Sequence, residues 1–332
     1  MSEDLGKVRL HTNLRFIREI AAGAMGTVFE AEDSGAEGFT KRVAVKRLHP
    51  ELSKKRPFVE MFIQEAKLVA DLVHENIVQI YQLISAGGKH YILMEYVHGM
   101  PLSHMCRVLN ATGQRVPNNL AIFIAARIAR GLSYAHSRRD NEGRPLQVVH
   151  RDICPHNVLI NTEGQPKITD FGIALAANRA TTLDDGAVCG KGPYMSPEQA
   201  AVREVDFRTD IFALGTVLFQ LLSGTPVRQA TTMTQAIAMA RATVIDWDAL
   251  PADLPDDQMA ILRRALAADR NDRFESADVF GKALEYEIYK GGYGPTIQTL
   301  EEYLRAEFPY LYTNERPISE RLGEIERTLI TT

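Results

Sequence analysis

His150-Arg-Asp-Ile-Cys-Pro-His-Asn157 runs straight into the apolar stretch Val158-Leu-Ile160, and Asp170-Phe-Gly172 follows Lys167-Ile-Thr169. Val148–Val149, Val158–Ile160 and Lys167–Thr169 are short runs rich in β-branched residues, which predicts short strands with polar clusters at their ends. Downstream, Ser196-Pro-Glu198 comes after a glycine-rich stretch, and helical patterns dominate from Ser196 onward. Upstream, Asn119 to Ala135 reads as a long helix with Ile122, Ala126, Ile128 and Leu132 on or near one face. Asp140 to Pro145 reads as a polar loop. Each tripeptide is common by chance; their order and spacing carry the weight.

Nearer the N-terminus the pattern becomes that of strands. Leu14 to Ile20 alternates apolar and polar residues, Thr27 to Ala31 and Arg42 to Leu48 follow, and Ile77 to Ile84 and His90 to Tyr96 read as two more. Between them, Phe58, Phe62, Ala66, Val69 and Leu72 recur at helical spacing. Ala21-Ala-Gly-Ala-Met-Gly-Thr-Val28 lies between two of these strands. Glycines let a backbone approach phosphates closely, yet such a hairpin is also an ordinary turn. Lys46 ends a strand otherwise set for burial, and Glu65 lies on the apolar side of the helix that follows. The bland readings are a lysine snorkelling to water and a surface charge. The functional reading is an ion pair that holds the lysine against nucleotide phosphates. A small strand-rich region before a large helical one predicts a two-lobe α+β enzyme.

The chain has 332 residues, which suits one large domain or two lobes sharing a cleft. A hydrophobic fraction of 45% and a charged fraction of 24% are ordinary for a globular protein. The net charge of -4 and the lack of clustered Lys and Arg give no support for nucleic-acid binding as the main role, and none is expected. Cys106, Cys154 and Cys189 are too few for a disulfide framework, have no zinc-site spacing, and fit a reducing cytoplasm. Met-Ser-Glu-Asp at the start has no apolar core, so no signal peptide is expected. Ile211 to Leu222 is shorter than the roughly 20 apolar residues a bilayer requires, and reads as a buried core helix. No membrane segment is expected in this chain.

Together, the glycine hairpin, Val43-Ala-Val-Lys46 with Glu65, His150 to Asn157, Asp170 to Gly172 and Ser196 to Glu198 resemble the protein-kinase family over about Leu14 to Tyr289. Tyr194-Met-Ser-Pro-Glu-Gln199 is typical of the bacterial eukaryotic-like (Hanks-type) serine/threonine kinases. The resemblance implies the bilobal protein-kinase fold, with a small β-rich N-lobe and a larger helical C-lobe. It implies transfer of the γ-phosphoryl group of Mg·ATP to serine or threonine hydroxyls of proteins, including autophosphorylation, with Mn²⁺ as an alternative metal. By the same resemblance, Lys46, held by Glu65, binds the α- and β-phosphates, and Asp152 is the catalytic base. Asn157 and Asp170 look like the Mg²⁺ ligands, and hard oxygen donors are what Mg²⁺ requires. Ala21, Gly23, Ala24, Met25 and Gly26 form the ATP-covering loop; Val28, Ala44 and Leu159 sandwich the adenine. Met94 resembles the gatekeeper, and the backbone of Glu95 to Val97 the hinge. Asp210 resembles the buried acid that anchors the catalytic loop, and Glu198 with Arg273 a structural ion pair.

Three departures stand out. Ala21 replaces the loop's first glycine, which costs little if its φ is negative. Cys154 replaces the usual lysine two residues after the catalytic Asp, and Lys191 stands after Gly190 where a threonine is usual. One reading is drift towards an inactive pseudokinase. The other is a positional swap, in which the Lys191 ammonium restores a positive charge near the transferring phosphoryl group. Retention of Lys46, Glu65, Asp152, Asn157 and Asp170 favours the swap. In the activation segment, Asp170 to Glu198, Thr181 and Thr182 are candidate phosphate acceptors, with Arg151 as the reader. Asp184 and Asp185 either mimic phosphate in part or form a solvated acidic loop. Cys189 is better read as an inert small residue than as a reactive thiol.

The expected organisation is an N-terminal extension (1–13), kinase N-lobe (14–97), kinase C-lobe (98–290) and C-terminal helical extension (291–332). Gly291-Gly-Tyr-Gly-Pro295 breaks the chain before that extension, where Leu300, Tyr303, Leu304 and Phe308 form one apolar face. A second helix is expected from about Ser319 to Leu329. This extension either caps the large lobe or recruits a partner. The expected partners are ATP, the metal and protein substrates whose identity the sequence does not name. The second functional class is a nucleotide-binding pseudokinase acting as a scaffold. A small-molecule kinase is a third, weakened by the match at Ser196-Pro-Glu198.

Overall fold

The structure is a computed structural model and describes residues 13–23, 25–171 and 192–313. The described residues form two compact units, one within Met1–Ala66 and Ile80–Tyr96, the other within Lys67–Gln79 and Val97–Thr332.

The first unit is built on strands β1 (Asn13–Ala22), β2 (Gly26–Ser34), β3 (Thr40–Leu48), β4 (Ile80–Ala86) and β5 (Lys89–Glu95). They form an antiparallel five-stranded sheet in the order β1-β2-β3-β5-β4. Helices α1 (Pro50–Ser53) and α2 (Arg56–Ala70) follow β3. Side chains alternate across a strand, so the register assigns each residue to a face. Ala31, Val43, Val45 and Leu93 cluster on one face, with Leu14, Ile84 and Tyr91 packed against them. On the other face Val28 lies opposite Lys46, Glu30 opposite Ala44, and Ala44 opposite Met94. A slip of one residue would exchange the two faces.

The second unit carries a three-stranded sheet of β6 (Gly99–Pro101), β7 (Val158–Asn161) and β8 (Pro166–Ile168). Its helices are α3 (Leu102–Ala111), α4 (Asn118–His136), α5 (Pro197–Ala200), α6 (Arg208–Ser223), α7 (Met233–Arg241), α8 (Asp256–Ala265), α9 (Ala277–Tyr289) and α10 (Ile297–Glu307). Every residue of α6 from Thr209 to Leu222 is buried, and α4 packs against both α6 and α9. The apolar run Ile211 to Leu222 is therefore a core helix. Among the described residues no helix is long and apolar enough to cross a membrane.

The described part of the C-terminal extension, up to Thr313, is seated on this unit. A Thr296–Thr299 capping box starts α10, and Leu300, Leu304 and Phe308 are wholly buried. The Tyr310 hydroxyl lies 3.0 Å from His104 Nε2, and Tyr312 donates to the Thr162 carbonyl at 2.7 Å. Gly164 sits in the β7–β8 turn with φ +79°, and a Cβ there would lie 2.3 Å from the Ile297 carbonyl oxygen. The turn and the helix meet backbone to backbone. The helix expected from Ser319 lies outside the described residues.

Two expected strands differ. Val148–Val149 is not a strand. The next two backbone N–H groups, those of His150 and Arg151, bond to the Asp210 carboxylate at 2.8 and 2.7 Å instead of to a neighbouring strand. The strand expected from Ile77 begins at Ile80, because Ile77 and Val78 pair with Ile168.

Candidate active site

In the first unit, the register brings Ala21, Val28, Ala44, Lys46 and Met94 to one face of the sheet. Ala21 lies opposite Val28 just past a register shift in β1 and is not among the residues with positive φ, so its methyl imposes no backbone strain. The two loop glycines differ. A Cβ on Gly26 would lie 2.3 Å from the Arg47 carbonyl oxygen, whereas one on Gly23 would make an ordinary contact. Gly26 is thus demanded by the sheet itself. The hairpin tip is held from β3's far end, where His49 N–H donates to Met25 O at 2.9 Å and His49 Nε2 lies 2.7 Å from Gly23 O. Ala24 lies outside the described residues. Lys46 Nζ and Glu65 Oε1 are 3.5 Å apart and both side chains are largely buried, so the two form a buried ion pair and neither is a solvated surface charge. Glu95 and Val97 are half-buried at and just beyond the end of β5.

Sequence reasoning missed Glu30. It shares the face of Val28 and Ala44, is 1% exposed, and pairs with both Arg18 and Arg42. Arg18 also donates to the Tyr96 hydroxyl at 3.3 Å. A buried carboxylate requires such compensation. The available signal was the strand period, which puts Glu30 in phase with Val28.

In the second unit, Asp210 in the first turn of α6 is fully buried and accepts from His150 N, Arg151 N and His136 Nε2. His136 is a further partner that sequence reasoning missed. Burial lowers the His150 pKa, against the opposing pull of Asp210, so this imidazole is neutral. Its contacts fix the tautomer. Nε2–H donates to the Thr169 carbonyl at 3.0 Å, and Nδ1 accepts from Asp152 N–H at 3.2 Å. His150 thus ties the loop before Asp152 to the strand end before Asp170. Its ring also packs on Phe171 at 4.6 Å between centroids.

Val158 pairs with Ile168 across β7 and β8, and Thr169 N–H donates to Asn157 O at 3.0 Å. This register sets Asn157 beside the residue that precedes Asp170. Asn157 Nδ2 donates to Asp152 Oδ2 at 2.7 Å and to Asp152 O at 2.8 Å. Arg151 and Asp170 both take positive φ, 65° and 58°, which costs a non-glycine residue on the order of 1 kcal/mol or more. Leu159, half-buried in β7, is paired with Pro101 and Lys167. Cys154, also in this loop, is not part of a disulfide and is 1% exposed.

The segment after residue 191 is anchored at several points. Glu198 and Arg273 form a buried bidentate ion pair at 2.7 and 2.8 Å. Burial opposes the Glu198 charge, but hydrogen bonds and the charge of Arg273 outweigh it and hold its pKa below the usual value. Ser196 caps α5 and meets Thr209 at 2.6 Å, and Tyr194 donates to Gln220 at 2.5 Å. Gln199 Nε2 donates to the Arg151 carbonyl at 2.8 Å. Lys191, Thr181, Thr182, Asp184, Asp185 and Cys189 lie outside the described residues.

The donor set suits a hard divalent cation. Because Nδ2 of Asn157 is committed to Asp152, its Oδ1 is the donor that remains, and Asp170 supplies a carboxylate two residues along the paired strand end from Ile168. Two oxygen ligands from the protein are typical where phosphate oxygens and water complete the shell of Mg²⁺.

Residues 14–283 match the model of the protein kinase domain family. The chain is 39% identical over 293 residues to the tyrosine-protein kinase MasK of Myxococcus xanthus, covering 88% of this chain and 45% of that protein. It is 34% identical over 275 residues to the serine/threonine-protein kinase PrkC of Bacillus subtilis, covering 82% and 40%. It is also 34% identical to the serine/threonine-protein kinase PknA of Mycobacterium tuberculosis, covering 86% and 63%. The chain thus spans about half the length of these relatives. Among solved structures, a point mutant of the kinase domain of Mycobacterium tuberculosis PknI superposes with a TM-score of 0.61 at 26% identity, covering 84% of this chain and 97% of that one.

Proposed function

Since the chain belongs to the protein kinase domain family, we propose that it transfers the γ-phosphoryl group of ATP to serine or threonine hydroxyls of protein substrates, itself included. The observation that carries this reading is the clamp of Asn157 on Asp152, set by strand register next to Asp170. The Asp152 carboxylate accepts the proton of the substrate hydroxyl as the oxygen becomes the nucleophile, and Asn157 fixes its orientation. Lys46, held by Glu65, binds the nucleotide phosphates. Asn157 and Asp170 would hold Mg²⁺, which when bound would neutralise the developing charge on the phosphates. The neutral His150 keeps the Asp152 and Asp170 segments in fixed relation. Thr181 and Thr182 are the proposed autophosphorylation sites. Cys106 and Cys154, both buried and neither in a disulfide, suit a reducing cytoplasm.

Incubating the chain with γ-³²P-ATP, Mg²⁺ and myelin basic protein tests the reading. Label on phosphoserine or phosphothreonine is expected. Label confined to phosphotyrosine would reassign the hydroxyl class, in line with the name carried by MasK. Nucleotide binding without any label would leave the pseudokinase scaffold as the function.

A further inference from the structure

Arg228, in the loop after α6, is 1% exposed. Its Nη1 donates to the carbonyls of Pro193 and Met195 at 3.1 and 2.9 Å, and its Nε to the carbonyl of Val244 at 3.0 Å. No carboxylate pairs with it among the described residues, and its Nη2 is buried without a partner among them. Burial lowers its pKa to about 10, so it keeps its charge at neutral pH. A buried cation of this kind is costly without an acid beside it. Arg273 shows the usual solution. The two guanidiniums lie over the same ring, Phe212, at 5.4 and 4.8 Å, yet only Arg273 has a carboxylate partner, Glu198.

What Arg228 holds suggests why so unfavourable a group stands there. The two carbonyls flank Tyr194, whose hydroxyl is tied to Gln220. Arg228 thereby turns both flanking carbonyls inward and fixes the path of residues 192–196. The same segment continues through Ser196 to Gln199, which bonds the carbonyl of Arg151, the residue before Asp152. The segment is thus pinned at one end by Arg228 and at the other beside the proposed base. A methionine or leucine could fill the volume of the stem, but neither could gather the carbonyls.

We propose that Arg228 is a positioning residue for the protein substrate, shaping residues 192–196 into the surface on which the substrate chain lies while its hydroxyl meets Asp152. The assignment rests on the kinase reading above. It places Arg228 on the side of protein-substrate binding and leaves nucleotide binding to other residues.

The test is Arg228→Met, which keeps a long apolar stem and removes every donor. The KM for myelin basic protein should rise about ten- to a hundredfold, the scale of losing hydrogen bonds to a charged group. Affinity for a fluorescent ATP analogue should stay within about twofold of wild type on the same grounds. Arg228→Lys keeps the charge but cannot span the carbonyls as a fork does, and should recover only part of the loss. An active wild type with an unchanged KM in Arg228→Met overturns the Arg228 assignment alone. Parallel loss of nucleotide and protein binding also overturns it, in favour of a general structural role. A wild type that transfers no phosphate overturns the kinase reading itself. Should Arg228→Met fail to fold, amide exchange on the wild-type chain decides. Protection of residues 192–196 on adding myelin basic protein, and not on adding ATP, supports the assignment; its absence overturns it.

Discussion

The side-chain amide of Asn157 grips Asp152 twice, at the carboxylate and at the main-chain carbonyl of the same residue. The carboxylate therefore cannot rotate without breaking a hydrogen bond. Asp152→Asn keeps the shape but removes the basic oxygen pair, and Asp170→Ala removes one oxygen donor. Each should abolish phosphoryl transfer with the fold intact by circular dichroism. Asp170→Ala should also remove the Mg²⁺-dependent tightening of nucleotide. Full activity in either purified variant would sink the assignment.

Cys154 and Lys191 form a second test. If the Lys191 ammonium supplies the charge usually provided at position 154, Lys191→Thr should lower turnover by a factor on the order of 10²–10³. Combining it with Cys154→Lys should recover much of that loss. Cys154→Lys alone should help little, since two ammonium groups in one site repel. The thiol it replaces is 1% exposed, so the longer chain must also extend out of a packed position. Additive effects in the double-mutant cycle would show the two positions to be uncoupled.

The Glu198–Arg273 pair predicts an acid limb in stability. The Glu198 pKa is lowered from 4.5 in the folded chain, so its contribution is complete above that value. It disappears as pH falls through the lower folded value. Breaking such a buried pair costs about 3–5 kcal/mol, so Glu198→Gln should unfold at markedly lower urea near pH 7 and show a flatter acid limb. Equal slopes for wild type and variant through the acid range would assign that limb to other carboxylates.

The fold was legible because its periods are strong. The run Arg42 to Leu48, set for burial, located β3, and apolar spacing from Phe58 located α2. The grouping of His150, Asp152 and Asn157 beside Thr169 was legible because short motifs held these residues together. What escaped were groups whose role depends on distant partners. Glu30 needs Arg18 and Arg42, His136 needs Asp210, and Arg228 needs the carbonyls of Pro193, Met195 and Val244. Backbone carbonyls leave no mark in a sequence, so an arginine that binds only them looks like any surface arginine. The failed strand at Val148 has a related cause, since a carboxylate sixty residues away takes the backbone donor of His150.

Truncation after Gly294 should lower the melting temperature. It uncovers the sites filled by Leu300, Leu304, Phe308 and Leu311, all at most 1% exposed. Each contributes about 1.5–3 kcal/mol as an upper bound. Amides from Leu300 to Phe308 should exchange slowly in the intact chain. An unchanged melting temperature with fast exchange there would mean that the helix is not docked in solution.

Gly164 gives that docking an evolutionary signature. Its φ of +79° alone would admit asparagine or aspartate, which tolerate the left-handed region. The nearby Ile297 carbonyl removes even these, because any Cβ collides with it. Position 164 and the C-terminal helix are therefore epistatic. In a chain that keeps the helix, only glycine is viable at the turn; in one that has lost it, asparagine and aspartate become neutral choices. The identity of one turn residue would then report whether a homologous kinase carries the same cap.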